Sequence, residues 1–171
     1  MRYGNNKPKY IRWAIYVLIS AVAVLLQNSA SQFFKPGSAR IFIAVGIAVC
    51  VAMFEREIVA SLIGAFTGVL LDVSCGADGL NAVLFVVLCA ACSLLISHFM
   101  RNNYLTALVL GTGALLIYEI VYIIINYAGA GFSFGAIFSF YLPSLLLSVL
   151  FIPICYEIVK LVYAAFKTAD E

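Results

Sequence analysis

The sequence predicts an all-α integral membrane protein, with about six transmembrane helices in one bundle and very little of the chain in water. Hydrophobic residues make up 65% of its 171 residues and charged residues only 11%, whereas about 25% of residues are charged in ordinary soluble domains. The apolar residues also fall into long runs separated by short polar segments. Because a span takes about 20 residues, six spans would use almost the whole chain. We therefore expect a single membrane-embedded domain over residues 1–171.

Charged and polar residues delimit the predicted spans. A basic N-terminus, residues 1–12, precedes spans near residues 13–33, 41–54, 58–71, 80–97, 104–128 and 143–166. The second and third are short, because their 14 apolar residues each give a helix of roughly 21 Å against a hydrocarbon core of about 30 Å. Shielding by longer neighbours, local thinning of the bilayer, snorkelling of the flanking charges and a re-entrant path could each accommodate them.

The last apolar stretch, residues 132–166, is too long for one span and contains two prolines. Proline suits the first turn of a helix and kinks a helix interior. The sixth helix is therefore expected to begin near Pro143 and to bend near Pro153, with residues 132–142 forming an aromatic segment at the membrane interface. Glu157 and Lys160 are expected to pair near its end.

Lys and Arg residues are divided unevenly between the two sides of the predicted bundle. Cytoplasmic loops of membrane proteins carry the excess of these residues. With the N-terminus inside, eight lie on the cytoplasmic side (Arg2, Lys7, Lys9, Arg12, Arg56, Arg101, Lys160 and Lys167) and two on the other side (Lys35 and Arg40). Both termini are therefore predicted to be cytoplasmic.

The polar residues form no recognisable catalytic or metal-binding pattern. No nucleophile and base pair, no phosphate-binding glycine loop and no metal-ligand spacing is present. Cys89 and Cys92 spell C-x-x-C, but they lie in an apolar run without a second cysteine pair and are expected to pack as small hydrophobic residues. The net charge of +2 is too small to indicate nucleic acid. We expect no enzyme, no cofactor and no nucleic-acid partner.

Small residues recur every four positions along the second and third spans. They are Ala44, Ala48 and Ala52 in the second span, and Ala60, Gly64 and Gly68, followed by Asp72, in the third. Residues at this spacing share one helical face, and in lipid such a face lets backbones approach closely. We expect a tight hairpin between the two spans. Internal packing and a docking groove for another protein's helix are both compatible with the pattern.

Two acidic residues stand out from the apolar runs. Glu119 lies deep in the fifth span, where a charged acid costs about 2.5 to 3.5 kcal/mol on insertion scales, and Tyr122, one turn on, is its candidate hydrogen-bond donor. Asp72 ends the small-residue face with no Lys or Arg near it in sequence. Asp78 is a candidate cap for the fourth helix, accepting from the amide near Asn81.

The pattern Gly64-x-x-x-Gly68-x-x-x-Asp72, followed by Gly76-Ala-Asp-Gly79-Leu-Asn81-Ala, resembles the family of the bacterial rod-shape-determining protein MreD. The resemblance extends over nearly the whole chain, including the basic N-terminus, a first span ending Leu-Leu-Gln-Asn, and the Tyr118-Glu119 and Leu142-Pro143-Ser144 sequences. One departure is Ser148, where an asparagine is expected in many members of the family.

The resemblance implies a non-catalytic scaffold in the bacterial cytoplasmic membrane that supports peptidoglycan synthesis and cell shape. Its implied direct partner is MreC, with RodA, a class B penicillin-binding protein and MreB in the same complex. The face of the third span and Glu119 are expected to shape the docking surface. The candidate partner-binding or helix-packing residues are Ala60, Gly64, Gly68, Asp72, Gly79, Asn81, Glu119, Tyr122 and Pro143.

Two other functions fit a small helical membrane protein. The first is the substrate-binding S component of an energy-coupling-factor vitamin transporter, in which Glu119 or Asp72 would line a pocket open to the outside. The first span lacks the alanine-x-x-x-alanine spacing that this class usually carries. The second is a small channel or proton-coupled carrier using Glu119. The fourth and last spans offer it mainly serines and cysteines near their middle.

Overall fold

The computed structural model describes residues 7–33, 41–76, 78–99, 102–127, 135 and 141–167. Within these ranges there are six long α-helices and no strands: α1 (Lys7–Phe33), α2 (Ile43–Phe54), α3 (Glu57–Cys75), α4 (Leu80–His98), α5 (Tyr104–Tyr127) and α6 (Leu142–Lys167). All of these except α2 are long and apolar enough to cross a membrane. The predicted all-helical fold class is confirmed, and the chain has the helices of a multi-pass membrane protein.

The third helix is longer than its apolar run suggested. The apolar run suggested a short segment over residues 58–71, but α3 is 19 residues long and runs from Glu57 to Cys75. Asp72, the first polar residue after the apolar run, stays buried within the helix, and its carboxylate accepts hydrogen bonds from backbone N–H groups of α4. α3 is therefore as long as α4.

The first and last helices also extend beyond their apolar runs. α1 begins at Lys7 rather than near residue 13, and its basic residue Lys9 stays exposed. α6 begins at Leu142, so that Pro143 lies in its first turn as predicted, and Pro153 lies inside it. The predicted interfacial segment falls outside the described residues except for positions 135, 141 and 142.

The short helix α2 lies at the centre of the packed helices. Residues 44–53 are all buried, and α2 contacts each of the other five helices. A helix that is hydrophobic on every side must be covered on every side. Of the alternatives left open for the short second segment, the burial and contacts of α2 favour shielding by longer neighbours.

Side chains from α1 and α6 satisfy the N-terminal end of α2. The Gln27 side-chain oxygen accepts a hydrogen bond from the backbone N–H of Ala44 at 3.0 Å. The Ser148 hydroxyl accepts one from the N–H of Phe42 at 2.9 Å and donates to the carbonyl of Ser144. Ser148, the departure from the family pattern, therefore makes an inter-helix hydrogen bond through its hydroxyl.

The other end of α2 is held by a buried ion pair that sequence analysis missed. Arg12 Nε lies 2.7 Å from Glu55 Oε1, and both side chains are at most 9% exposed. Trp13 Nε1 donates to the second carboxylate oxygen at 3.2 Å, and the Ser93 hydroxyl donates to the Glu55 backbone carbonyl at 3.0 Å. The Arg12 guanidinium also lies 5.2 Å from the Tyr163 ring centroid. Glu55 therefore joins the end of α2 to α1 and α4.

Breaking this ion pair on one side is expected to destabilise the protein more than removing both charges. Arg12→Met leaves a buried carboxylate uncompensated, which typically costs about 3 to 5 kcal/mol, whereas the double variant Arg12→Met/Glu55→Met leaves no buried charge. Reversible unfolding in detergent and SDS mixtures would give the three free energies of unfolding. A double variant at least as destabilised as Arg12→Met would contradict the expectation.

The exposed pair Glu157–Lys160 provides a matched control for that measurement. Its Nζ–Oε1 distance is 3.4 Å, with the two side chains 42% and 45% exposed. Lys160 also contacts Tyr104, so the control variant is Glu157→Met, which is expected to change the free energy of unfolding by no more than about 1 kcal/mol.

Candidate functional site

The small-residue face of α3 packs against α4. A Cβ atom added to Gly64 would lie 2.7 Å from Cys89 Sγ and 2.9 Å from the Phe85 carbonyl oxygen. One added to Gly68 would lie 2.5 Å from the Cα of Ala82. These are backbone approaches that a side chain does not permit, so glycine is required at both positions. The other small residue of the face, Ala60, is 1% exposed.

The predicted hairpin between the second and third spans was therefore assigned to the wrong pair of helices. Glycines on α3 meet α4, and the alanines of α2 (Ala44, Ala48 and Ala52) are buried at the centre of the fold. The periodicity identified which faces pack closely, but both faces are small and the sequence carries no information on which neighbour each meets.

The connection between α3 and α4 turns on two glycines in the left-handed backbone region. Gly76 follows the last residue of α3 with φ of 65°, and its N–H donates to the carbonyl of Asp72. Gly79 precedes α4 with φ of 85°. Residues with a Cβ rarely adopt this conformation, so these two positions allow the short antiparallel connection.

Asp72 caps α4 from the neighbouring helix. Its Oδ1 accepts from the backbone N–H of Asn81 at 3.1 Å and from Asn81 Nδ2 at 2.8 Å, and its Oδ2 accepts from the N–H of Ala82 at 2.9 Å. The helix N-terminus favours the negative charge, which offsets the cost of burying a carboxylate that is only 5% exposed. The predicted cap, Asp78, is exposed instead. Close packing of α3 on α4 at Gly68 brings the Asp72 carboxylate to the first backbone N–H groups of α4, which a residue just before α4 would otherwise cap.

Asn81 carries the contact on to α5. Its side-chain oxygen accepts hydrogen bonds from the hydroxyls of Tyr118 at 2.7 Å and Tyr122 at 2.8 Å, and the residue is fully buried. Asp72, Asn81, Tyr118 and Tyr122 form what we call the Asp72 network. The network joins α3 to α4 through the Asp72 carboxylate and α4 to α5 through the Asn81 side-chain oxygen.

Glu119 does not join the Asp72 network. The Tyr122 hydroxyl donates to Asn81, so the predicted hydrogen bond from Tyr122 to Glu119 was wrong. Glu119 is 5% exposed, and its Oε1 has no hydrogen-bond partner among the described residues. The structure thus separates the two acidic residues that the sequence singled out: Asp72 is fully engaged and Glu119 is not.

Tyr118 is the member of the network that sequence analysis did not assign. Its ring packs edge-on against Phe42 and Phe85, with centroid distances of 5.3 and 5.9 Å, so it also contacts the segment leading into α2. The available signal was its spacing of four from Tyr122, which places both hydroxyls on one helical face. Pro143 serves a separate purpose in the first turn of α6.

The Asp72 network is suited to holding helices together. Both acceptor positions of the Asn81 side-chain oxygen are occupied, and both oxygens of Asp72 accept backbone or amide donors. In the part of the chain that the structure describes, no three His, Cys, Asp or Glu side chains cluster as metal ligands. Comparisons with family models, with curated proteins and with solved structures gave no match.

Adding a single methyl group at Gly68 is expected to destabilise the protein. In Gly68→Ala the new Cβ meets backbone atoms of α4, so the helices must separate, at a cost of about 1 to 3 kcal/mol. Gly113→Ala is the matched control, because a Cβ there meets nothing within 4 Å. The free energy of unfolding of both variants should be measured in detergent. Equal effects of the two changes would rule out close packing at Gly68.

Removing the central amide of the Asp72 network is expected to cost more than removing an exposed one. Asn81→Leu removes the acceptor that the Tyr118 and Tyr122 hydroxyls share, and the loss of a buried acceptor costs about 1 to 3 kcal/mol. Asn103→Ser removes an exposed amide but keeps a side-chain oxygen at the residue before α5, so it should have little effect. Double-mutant cycles of Asn81→Leu with Tyr118→Phe should show strong coupling, and independent effects would contradict the shared hydrogen bond.

Proposed function

We propose that this chain is a non-catalytic membrane scaffold of the bacterial cell-elongation complex, similar to MreD. In this proposal it lies in the cytoplasmic membrane with both termini in the cytoplasm and binds MreC directly. RodA, a class B penicillin-binding protein and MreB belong to the same complex. The chain's contribution is to hold a partner's transmembrane helix in place during peptidoglycan synthesis.

The observation that carries this proposal is that the residues of the resemblance motif meet in one place. Gly64 and Gly68 bring α3 onto α4, Asp72 caps α4, and Asn81 passes the contact to α5. One set of helix contacts thus accounts for residues that are spread along the chain. Its product is a rigid group of three helices, which is what a scaffold needs.

The distribution of polar groups supports a partner that binds within the bilayer. Four polar side chains make their hydrogen bonds to other parts of the protein: Gln27, Ser148, Asn81 and Asp72. Large apolar side chains cover the outer surface of the described helices. Helices associate in lipid through close packing and a few polar contacts. An apolar exterior on a rigid core therefore favours helix docking over chemistry on a soluble substrate.

The two alternative functions gain no support from the same residues. As a vitamin-binding S component, the chain would use Asp72 or Glu119 in a pocket, but all the described contacts of the Asp72 carboxylate are hydrogen bonds to α4. A carrier would need further acids or bases along a path with Glu119. Glu119 Oε1 is buried without a hydrogen-bond partner among the described residues.

Purification of the tagged chain from its own cells in mild detergent tests the proposal. Mass spectrometry is expected to find MreC in stoichiometric amount and no bound vitamin, because the scaffold acts by holding a membrane partner. The control is an unrelated multi-pass protein of similar size carrying the same tag. A bound vitamin together with an ATPase module would overturn the scaffold in favour of the transporter subunit.

Substitution of Glu119 tests whether its side chain helps to shape the docking surface. Glu119→Leu with normal expression and loss of MreC would support a role for this side chain in shaping the docking surface. Retained MreC at normal expression would show that Glu119 takes no part in it. Comparison with Leu116→Ala, at an exposed apolar position on the same helix, controls for a change in α5 alone.

A further inference from the structure

A furrow runs along the outer surface between α3 and α4. It has a volume of about 390 Å³ and is lined by Glu57, Ile58, Ser61, Leu62, Ala65 and Val86. At one end it opens into a wider cleft of about 560 Å³, which shares Glu57 and Ile58 and reaches Ser97 and His98. The two together form a path from the end of the helices down into the membrane-spanning region.

The inner part of the furrow is shallow and lined mainly by apolar side chains. Small side chains, Ser61 and Ala65, lie between the larger Leu62 and Val86. The Ser61 hydroxyl donates to the Glu57 carbonyl at 2.7 Å, so this polar group is already satisfied. Leu62 is 65% exposed and available for contact. Because Gly64 and Gly68 lock α3 onto α4, the furrow keeps its shape and presents a preformed surface.

The outer end of the furrow carries an unpaired negative charge. Glu57 is exposed in the first turn of α3, and within the described ranges no Lys or Arg lies within salt-bridge distance of it. In the proposed orientation this end faces the cytoplasm, where transmembrane helices carry most of their Lys and Arg. Arg56, the residue before α3, is also exposed and lines the wider cleft, but it does not line the furrow, so the charge at the furrow itself is that of Glu57.

We infer that this furrow is the docking site for one transmembrane helix of a partner protein. The helix has small side chains on its contact face and a Lys or Arg at the level of Glu57, which sets its direction and depth. The inference deepens the proposed scaffold function and rests on it for the existence of a membrane partner. It also places docking on the outward side of α3, since the inward side is occupied by α4.

Site-directed photo-crosslinking of the full chain in its own cells tests the docking site. Leu62→p-benzoylphenylalanine is expected to form adducts with a transmembrane helix of another membrane protein. The matched control, Leu146→p-benzoylphenylalanine, lies at a similarly exposed position on α6 and is expected to form few or none. Mass spectrometry would identify the adducts.

The outcomes distinguish this inference from the scaffold function. If a partner co-purifies but crosslinks only from Leu146, the furrow is not its site and the scaffold stands. Adducts at Leu62 with a second copy of this chain, or with lipid alone, overturn the inference in the same way. If no protein co-purifies with the unmodified chain, the scaffold function and the inference both fail.

Charge reversal gives an independent measurement. Glu57→Lys is expected to lower partner recovery about fivefold, the effect of losing an exposed ion pair and gaining repulsion. Glu157→Lys, an exposed acid on α6, is the control and should leave recovery unchanged. Restored recovery when the partner's basic residue is changed to Glu would establish the pairing. Unchanged recovery with Glu57→Lys would contradict it.

Discussion

The short buried helix α2 must satisfy its backbone polar groups inside the protein, and much of the remaining structure follows from that constraint. The first N–H groups and last carbonyls of any helix lack partners within it. Burying such a group in an apolar interior without a hydrogen bond costs several kcal/mol of folding free energy. Four side chains from the surrounding segments supply the missing partners: Gln27, Ser148, Ser93 and Asn102. These four contacts hold α1, α4, α6 and the segment before α5 against the ends of α2.

The Asp72 network applies the same principle to a second helix end. The N-terminus of α4 receives its acceptor from α3, which is possible only because Gly68 lets the two backbones approach closely. Close packing and hydrogen bonding are thus interdependent: the glycine brings the carboxylate within reach, and the carboxylate fixes the separation of the helices. Asn81 extends this arrangement to Tyr118, so that stability at this end depends on side chains from three helices acting together.

Sequence reasoning predicted the helices well and their partners poorly. The apolar runs identified six helices, and Pro143 marked the start of the last, because both signals are local. Asp72 was correctly identified as unusual. The cap of α4 was predicted to be Asp78, because Asp78 is the acid nearest to α4 in the sequence. The buried pair between Arg12 and Glu55 could not be found for the same reason: each residue reads as an ordinary interfacial charge until α1 is placed beside the end of α2.

The division of α3 into two faces would let one helix serve both stability and the proposed docking of a partner helix. Its inward face, with Gly64 and Gly68, is committed to α4, while its outward face, with Ser61 and Ala65, lies in the furrow. A change on the inward face moves α3 relative to α4 and so alters the furrow between them, even though no inward residue touches a partner. Loss of binding in such a variant is therefore evidence about the docking surface only when the free energy of unfolding is unchanged, whereas substitutions at Glu57 or Leu62 act on the outward face directly.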